Sequence, residues 1–304
     1  MKKIDVCKGK SVNKRTEKLV QDNRFEFGKN WERFLRILDE DRISEAEKSL
    51  KQMLEIDDLK GKSFLDIGSG SGLFSLAARR LGATAHSFDY DPLSVACTVE
   101  LRKRYFADDT GWMIEQGDVL NGDYLQSLGR FDVVYSWGVL HHTGAMWQAL
   151  ENVEPLVAEG GKLYISIYNN QGAASLLWTS LKKFYNQSSR PVKLSIVLCI
   201  GAYWEIRSAL SRLMRGKIPL PFKRWAERRK TRGMSMWHDL LDWVGGYPFE
   251  VAKPEEIFDF YHKKGLELIK LKTCAGGIGC NEYVFFKGKN PSTKFTRNLI
   301  TNDR

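Results

Sequence analysis

Acid is what one part of this sequence lacks. Between residues 170 and 235 only Glu205 and Glu227 stand against 14 lysines and arginines, while the remaining positions hold 33 basic and 35 acidic residues, so one segment carries the whole net charge of +10. Cysteine is sparse and unpatterned. The five cysteines (Cys7, Cys97, Cys199, Cys274, Cys280) are an odd number without framework spacing, which excludes a disulfide scaffold and reads as reduced thiols in a cytoplasmic protein. Cys274 and Cys280 are a lone pair in a glycine turn, read as small buried residues, and with no zinc pattern elsewhere no metal is expected. The first twenty residues are basic but lack the continuous apolar core of a secretory signal. No internal repeat is present.

What remains is a composition of 43% apolar and 28% charged residues over 304 positions, enough for one large α/β domain with additions. From Phe25 to Leu59 the spacing of Trp31, Phe34, Leu35 and Leu38 predicts two amphipathic helices. Strand and helix then alternate through "GKSFLDIG", a helix from Leu73 stopped by Gly82, "ATAHSFD", a helix from Pro92 to about Tyr105, "WMIEQGD" and "RFDVVYS". A helix from about Ala145 to Val157, a turn "AEGGK" and a strand "LYISIY" complete the series, which predicts a doubly wound parallel sheet over Phe64 to Tyr168. The alternation resumes at Pro254 with a capped helix and two strands, "LELIKLKT" and "NEYVFFK", that pair as an antiparallel hairpin. The predicted organisation is a helical cap over 1–60, an α/β core over 61–168, a basic helical insertion over 169–250, a closing helix and hairpin over 251–290, and a polar tail over 291–304.

Ligands of open α/β sheets sit beyond the carboxyl ends of the strands, so the turn "FLDIGSGSGLF" marks a site. Gly68, Gly70 and Gly72 depart from the dinucleotide fingerprint, and no Lys-Ser or Lys-Thr follows them as a P-loop requires. Asp66, two residues before the first glycine, repels a pyrophosphate and attracts an amine or a sulfonium. Asp89 ends the second strand, where a carboxylate accepts both hydroxyls of a ribose, and Asp118 ends the third, in reach of an adenine amine. Three acids at adjacent strand ends suit a cationic adenosyl ligand without phosphates, which is S-adenosyl-L-methionine.

At this point the chain resembles a family. "FLDIGSGSG", "FDYDP", "QGDVLN", "FDVVYSWGVLHH" and "LVAEGGKLYISIYN" are similar, in order, to the motifs of class I S-adenosylmethionine-dependent methyltransferases over about Gly61 to Asn169. The resemblance implies a Rossmann-like, seven-stranded, mostly parallel sheet with an antiparallel last strand. It places Asp66 and Gly68 near the methionine amine, Asp89 on the ribose, and Asp118 with Val119 beside adenine. Ser69, Gly70, Gly72, Tyr90, Ser136 and Trp137 complete the implied cofactor set.

The acceptor is less legible. Tyr135-Ser136-Trp137-Gly138 stands where enzymes that methylate planar amines carry Asn/Asp-Pro-Pro-aromatic, so such amines are disfavoured. His141 and His142 begin the next helix at the mouth of the site; the string "LHH" resembles the small-molecule and sugar O-methyltransferase branch, where a histidine here acts as base, or else caps the helix or lines the methionine pocket. In "MSMWHDLLDWVGGYPFE", His238, Asp239 and Asp242 lie beside Trp237 and Trp243, a density suited to a polyhydroxylated acceptor or to the docking of the insertion. His238 and Asp242 thus join His141 and His142 as catalytic candidates. "FEFGKNWERFL" reads as a lid through Phe27 and Trp31 or as a packing stripe. The apolar run Leu194 to Trp204, too short to span a bilayer, adjoins a basic stretch from Arg207 to Arg232. Residues 190–232 therefore read as a solvated basic face or as a contact for an anionic membrane surface at the inner face, with nucleic acid behind both. The expected activity is methyl transfer to oxygen of a small-molecule or glycan-like, anionic or lipid-linked acceptor. RNA or protein methylation, or an idle adenosyl-binding scaffold, are the alternatives.

Overall fold

Seven strands, β1 (Ser63–Ile67), β2 (Thr84–Asp89), β3 (Trp112–Gln116), β4 (Phe131–Trp137), β5 (Val157–Tyr168), β6 (Leu266–Lys272) and β7 (Cys280–Lys287), form one sheet in the order β3-β2-β1-β4-β5-β7-β6. This computed structural model describes Phe25 and residues 27–216, 236–277 and 279–288; the side chains of Lys29, residues 236–239 and Asp242 lie outside the described residues. All pairings are parallel except those of β7, which runs antiparallel to both β5 and β6. The central strands β1 and β4 are buried along almost their whole length, because neighbouring side chains go to opposite faces and both faces are covered there, whereas the edge strands β3 and β6 carry charged and partly exposed residues. Leu65, Val134, Ile165 and Phe285 pack on one face, Phe64, Val133, Tyr164 and Val284 on the other.

The first face is covered by α5 (Gly122–Leu128), α6 (Met146–Val153) and α10 (Pro254–His262), through Leu125, Leu150, Ile257 and Tyr261. The second is covered by α2 (Glu40–Leu54) and α3 (Leu73–Arg80), with α1 (Gly28–Leu35) and α4 (Pro92–Tyr105) completing that layer around Leu76, Leu101 and Trp112. Local chemistry starts these helices where they start. Asp39 accepts from the Arg42 N–H at 3.0 Å, Asp91 from Leu93 at 2.9 Å just before Pro92, and Asn121 from Tyr124 at 3.1 Å.

Two expectations are corrected. The helix expected to reach Val157 is α-helical to Val153 and continues as a 3-10 turn over Glu154–Leu156, and "AEGGK" is not a turn but part of β5, which begins at Val157. Phe131 pairs with Val157 and Val133 with Lys162, so the extra residues bulge out of the ladder. Gly161 fits there because a Cβ would lie 2.8 and 2.9 Å from the carbonyl oxygens of Ala158 and Asp132. His141 and His142 do not begin a helix either; they form a separate 3-10 turn, Leu140–His142, before α6.

The chain leaves the sheet after Tyr168 and returns at Ala252, where Asn169 and Ala252 form a bridge. Between them α7 (Ala173–Gln187), α8 (Arg190–Met214) and α9 (Met236–Gly245) pack around Tyr185, Val197, Leu240 and Val244. The apolar run 194–204 lies inside α8, which is 25 residues long, more than twice the run read from the sequence. The part of the basic stretch beyond residue 216, and the tail over 291–304, lie outside the described residues.

Candidate active site

The turn after β1 is held from below. The N–H groups of Gly68 and Ser69 donate to the Phe88 carbonyl at 2.8 and 3.1 Å, and Gly70 N–H donates to the Asp89 carboxylate at 2.9 Å. Gly68 and Gly70 have φ of +75° and +56°, and a Cβ at either would lie 2.5 Å from Val139 or 2.9 Å from the Trp31 indole. The other Asp89 oxygen accepts from Asp91 N–H at 2.9 Å, and Asp91 accepts from Gly28 N–H at 2.9 Å. A chain of carboxylate–amide bonds thus fixes the glycine turn, the end of β2 and the start of α1 together.

Above this turn lies a cavity of about 1630 Å³. Of the predicted cofactor residues, Gly68, Asp89, Tyr90, Asp118, Val119 and Trp137 line it. Asp66, Ser69, Gly70, Gly72 and Ser136 lie outside its lining. Ser69 bonds Thr98 across 3.0 Å, Gly72 caps α3 with φ of +80°, and the Ser136 hydroxyl donates to the Ile67 carbonyl at 3.1 Å, cross-linking β1 and β4. Phe27 and Trp31 line the cavity, and Trp31 also packs on the α1–α4 cluster. Cys274 and Cys280 are partly exposed and line the cavity, a correction to their reading as buried residues.

Asp66 is buried beneath the turn, where its carboxyl accepts from the Ser75 hydroxyl, which in turn meets Ser87 at 2.7 Å and through it the Trp112 indole N–H at 2.8 Å. Burial raises its pKa from 3.8 to about 7; the Ser75 bond opposes the rise and the Asp89 charge adds to it. The folded chain therefore keeps this proton to about pH 7 while the unfolded chain releases it near 3.8, and stability falls as pH rises between them. Asp66→Asn, which keeps the acceptor for Ser75 and cannot ionise, is expected to remove that slope, on the order of 4 kcal/mol across the interval. Urea unfolding of both proteins at pH 4 and pH 8 measures it; equal pH dependence refutes the assignment.

The two histidines separate. His142 lines the cavity, whereas His141 is fully buried behind it, against Tyr168 and His142 at ring distances of 4.1 and 4.5 Å. His141 is therefore not at the mouth of the site, and burial, with His142 and Lys182 nearby, holds its pKa well below the usual histidine range. His142 Nδ1 lies 2.6 Å from the Pro248 carbonyl. A carbonyl only accepts, so Nδ1 carries the proton and a neutral ring has its basic lone pair on Nε2. The same segment grips the turn twice more: Glu250 N–H donates to the His141 carbonyl at 3.0 Å, and the Glu250 carboxylate accepts from Met146 N–H at 3.0 Å, at the start of α6.

Several residues that line or support the site escaped sequence reasoning. Tyr168, Trp178, Tyr203, Trp204 and Arg207 line the cavity together with the anticipated Trp243. The signal for the four aromatic ones was the aromatic density after β5, and for Arg207 its place at the start of the basic stretch. Lys182 is fully buried, its ammonium donating to the Trp243 carbonyl and lying 4.5 and 4.7 Å from the Trp243 and Phe249 ring centres. It ties α7 to α9 and the segment that holds His142. The side chains of His238 and Asp242 lie outside the described residues. His86 bonds Glu115 at 2.9 Å and His262 stacks on Phe258, both away from the cavity.

This strand order, with a carboxylate at the end of β2 and another, Asp118, in the loop two residues after β3 rather than within the strand, both lining a cavity over a glycine turn, defines a class I S-adenosylmethionine-dependent methyltransferase. Residues 38–237 match the family described as a methyltransferase domain, and the chain belongs to that family. A tRNA U34 carboxymethyltransferase of Pseudomonas paraeruginosa is 33% identical over 120 residues, covering 39% of this chain and 36% of that protein. A ubiquinone biosynthesis O-methyltransferase of Actinobacillus pleuropneumoniae is 29% identical over 126 residues, covering 39% and 51%. The chain thus spans between about a third and a half of the length of these curated relatives. The magnesium protoporphyrin IX methyltransferase of Synechocystis shares the fold at 12% identity, with a TM-score of 0.53 over 90% of this chain and all of that one.

The described residues fit the cofactor: Asp89 and Asp118 offer carboxylates to hydroxyls and an amine, and apolar Val119 and Trp137 flank them in the same lining. The cofactor set has no cluster of cations for a phosphate.

Proposed function

We propose that the chain transfers the methyl group to an oxygen of a small, glycan-like or amphiphilic acceptor held against the aromatic wall of the insertion. One observation carries this reading: a single cavity joins the strand-end acids to Tyr168, Trp178, Trp204 and Trp243, with His142 in its lining. Its volume, about 1630 Å³, exceeds the roughly 300–1,000 Å³ usual for one ligand, which leaves room for an acceptor beside the cofactor. Asp89 and Asp118 hold the adenosyl moiety. S-adenosyl-L-methionine, when bound, supplies an electrophilic methyl whose sulfur leaves as a neutral thioether, so no acid is needed for the leaving group. The protein has then to orient the acceptor and remove its hydroxyl proton. His142 Nε2 takes that proton; the Pro248 carbonyl, bonded to Nδ1, fixes the ring's tautomer and stabilises the imidazolium that forms. His141, kept neutral by burial, supports the ring from behind.

RNA methylation is the second reading, favoured by the tRNA-modifying relative and the basic segment between residues 170 and 235. Incubation of the protein with methyl-labelled cofactor and a cell lysate, followed by separation of RNA, protein, organic extract and aqueous small molecules, distinguishes the two. Label is expected in the small-molecule or organic fraction. Label confined to RNA overturns the proposal in favour of the second reading.

A further inference from the structure

The α7–α8 hairpin exposes apolar side chains in a way the rest of the sheet domain does not require. On α7, Leu176 and Leu177 are 72% and 71% exposed, and Phe184 is exposed two turns on. On α8, Leu194, Leu198, Ile206 and Leu210 recur at helical spacing along one exposed face, with Leu198 and Ile206 at 55% and 61%. The opposite face of α8 is occupied: Ile196, Val197, Ile200 and Trp204 pack with Tyr185, Leu240 and Val244. Contiguous apolar exposure of this kind marks a contact surface rather than a solvated one.

We infer that this hairpin seats the protein on an anionic bilayer, with α8 lying in the interface and its exposed apolar side chains among the acyl chains. Charge selects the occupant. Between residues 183 and 215 six lysines and arginines stand against a single acid, Glu205. Two copies meeting face to face would bring these like charges together, whereas anionic headgroups neutralise them. An RNA backbone would meet the basic residues but gains nothing from the row Leu194, Leu198, Ile206, Leu210. By length and composition α8 is apolar enough to cross a membrane, and only 6% of its most apolar stretch is buried. Threading it across would strip Val197 and Trp204 from α7 and α9, so the packed geometry favours a helix lying flat, half in protein and half in lipid. The consequence for the enzyme is positional. Leu177, Tyr203 and Arg207, on the same two helices, also line the cavity, so docking sets its mouth at the lipid surface, where an amphiphilic acceptor enters without crossing water. The inference rests on the hairpin alone and stands or falls independently of the acceptor atom.

Flotation with phosphatidylcholine vesicles, with and without phosphatidylglycerol, over a salt series is the test. The native protein is expected to float with the phosphatidylglycerol vesicles at low salt. The double variant Leu198→Glu, Ile206→Glu is expected to partition at least tenfold less, with cofactor affinity and helical circular dichroism unchanged. Cys199, exposed beside Leu198 on α8, provides a second readout. A nitroxide placed there, with Cys7, Cys274 and Cys280 replaced by Ser, is expected to become accessible to oxygen and shielded from a water-soluble nickel chelate on vesicle addition. Should the double variant lose its helical signal, this label on the otherwise native surface decides. Absence of flotation, equal flotation of a folded double variant, or a label that stays in water overturns the inference. So does a dimer of the native chain that the double variant dissolves, because a second copy then covers the face.

Discussion

Replacing Asp89 with alanine is expected to weaken S-adenosyl-L-methionine binding roughly ten- to hundredfold, the cost of about 1.5–3 kcal/mol for losing a charged hydrogen-bond partner. The effect has two sources. Asp89 faces the cavity at the end of β2, and it is also the acceptor for the N–H groups of Gly70 and Asp91, so its loss releases the glycine turn as well as the ligand. Asp89→Asn is informative for the same reason. Its amide presents two donors where one carboxylate oxygen met a backbone N–H, so one of the two bonds at 2.9 Å is lost and the charge with it. Both variants should therefore bind weakly, and calorimetric titration reads the difference directly. Native affinity in both would remove Asp89 from the cofactor site.

His142→Asn is expected to lower turnover by about 10² or more while cofactor affinity and thermal stability stay close to native. An asparagine amide can still donate to the Pro248 carbonyl, which His142 Nδ1 meets at 2.6 Å, but it has no basic nitrogen to take a proton. The acid limb of the kcat–pH profile should vanish in this variant, a change that a merely structural role does not produce. Full activity in His142→Asn would mean that orientation alone carries the reaction. His141 answers differently. Buried behind His142 and held neutral, its replacement by alanine leaves a void against Tyr168 and should destabilise the fold more than it slows the chemistry.

The sheet could be read ahead of the structure because its cause is local. Apolar runs of five to eight residues, punctuated by Gly82, Pro92 and Pro254, specify strands and helices through backbone geometry and burial, and their alternation leaves few topologies. The glycine turn and its neighbouring acids were legible for a similar reason: Asp89 ends β2 and Asp118 lies two residues past the end of β3, and strand ends converge in any doubly wound sheet. Periodicity failed where a glycine pair imitates a turn. Gly160 and Gly161 read as a break, yet pairing with β4 carries the strand through them as a bulge, because ladder bonds to a neighbour outweigh a local preference.

Other features exist only between distant segments. "LHH" and "DWVGGYPFE" stand about a hundred residues apart, and nothing in either says that Pro248 and Glu250 grip the turn at His141 and His142. That contact separates one cavity-facing histidine from one buried histidine, a distinction that identical adjacent residues cannot encode. Lys182 reads as one more surface cation in a basic segment until α7, α9 and Phe249 enclose it. In α8 the order reverses: the sequence displays apolar and basic residues together, but which apolar ones pack and which face outward depends on where α7 and α9 lie. Strand identity and the acids at strand ends follow from short-range chemistry. Proton-accepting geometry, the buried cation and the exposed face follow from long-range packing, because each depends on which side of an element a distant neighbour covers.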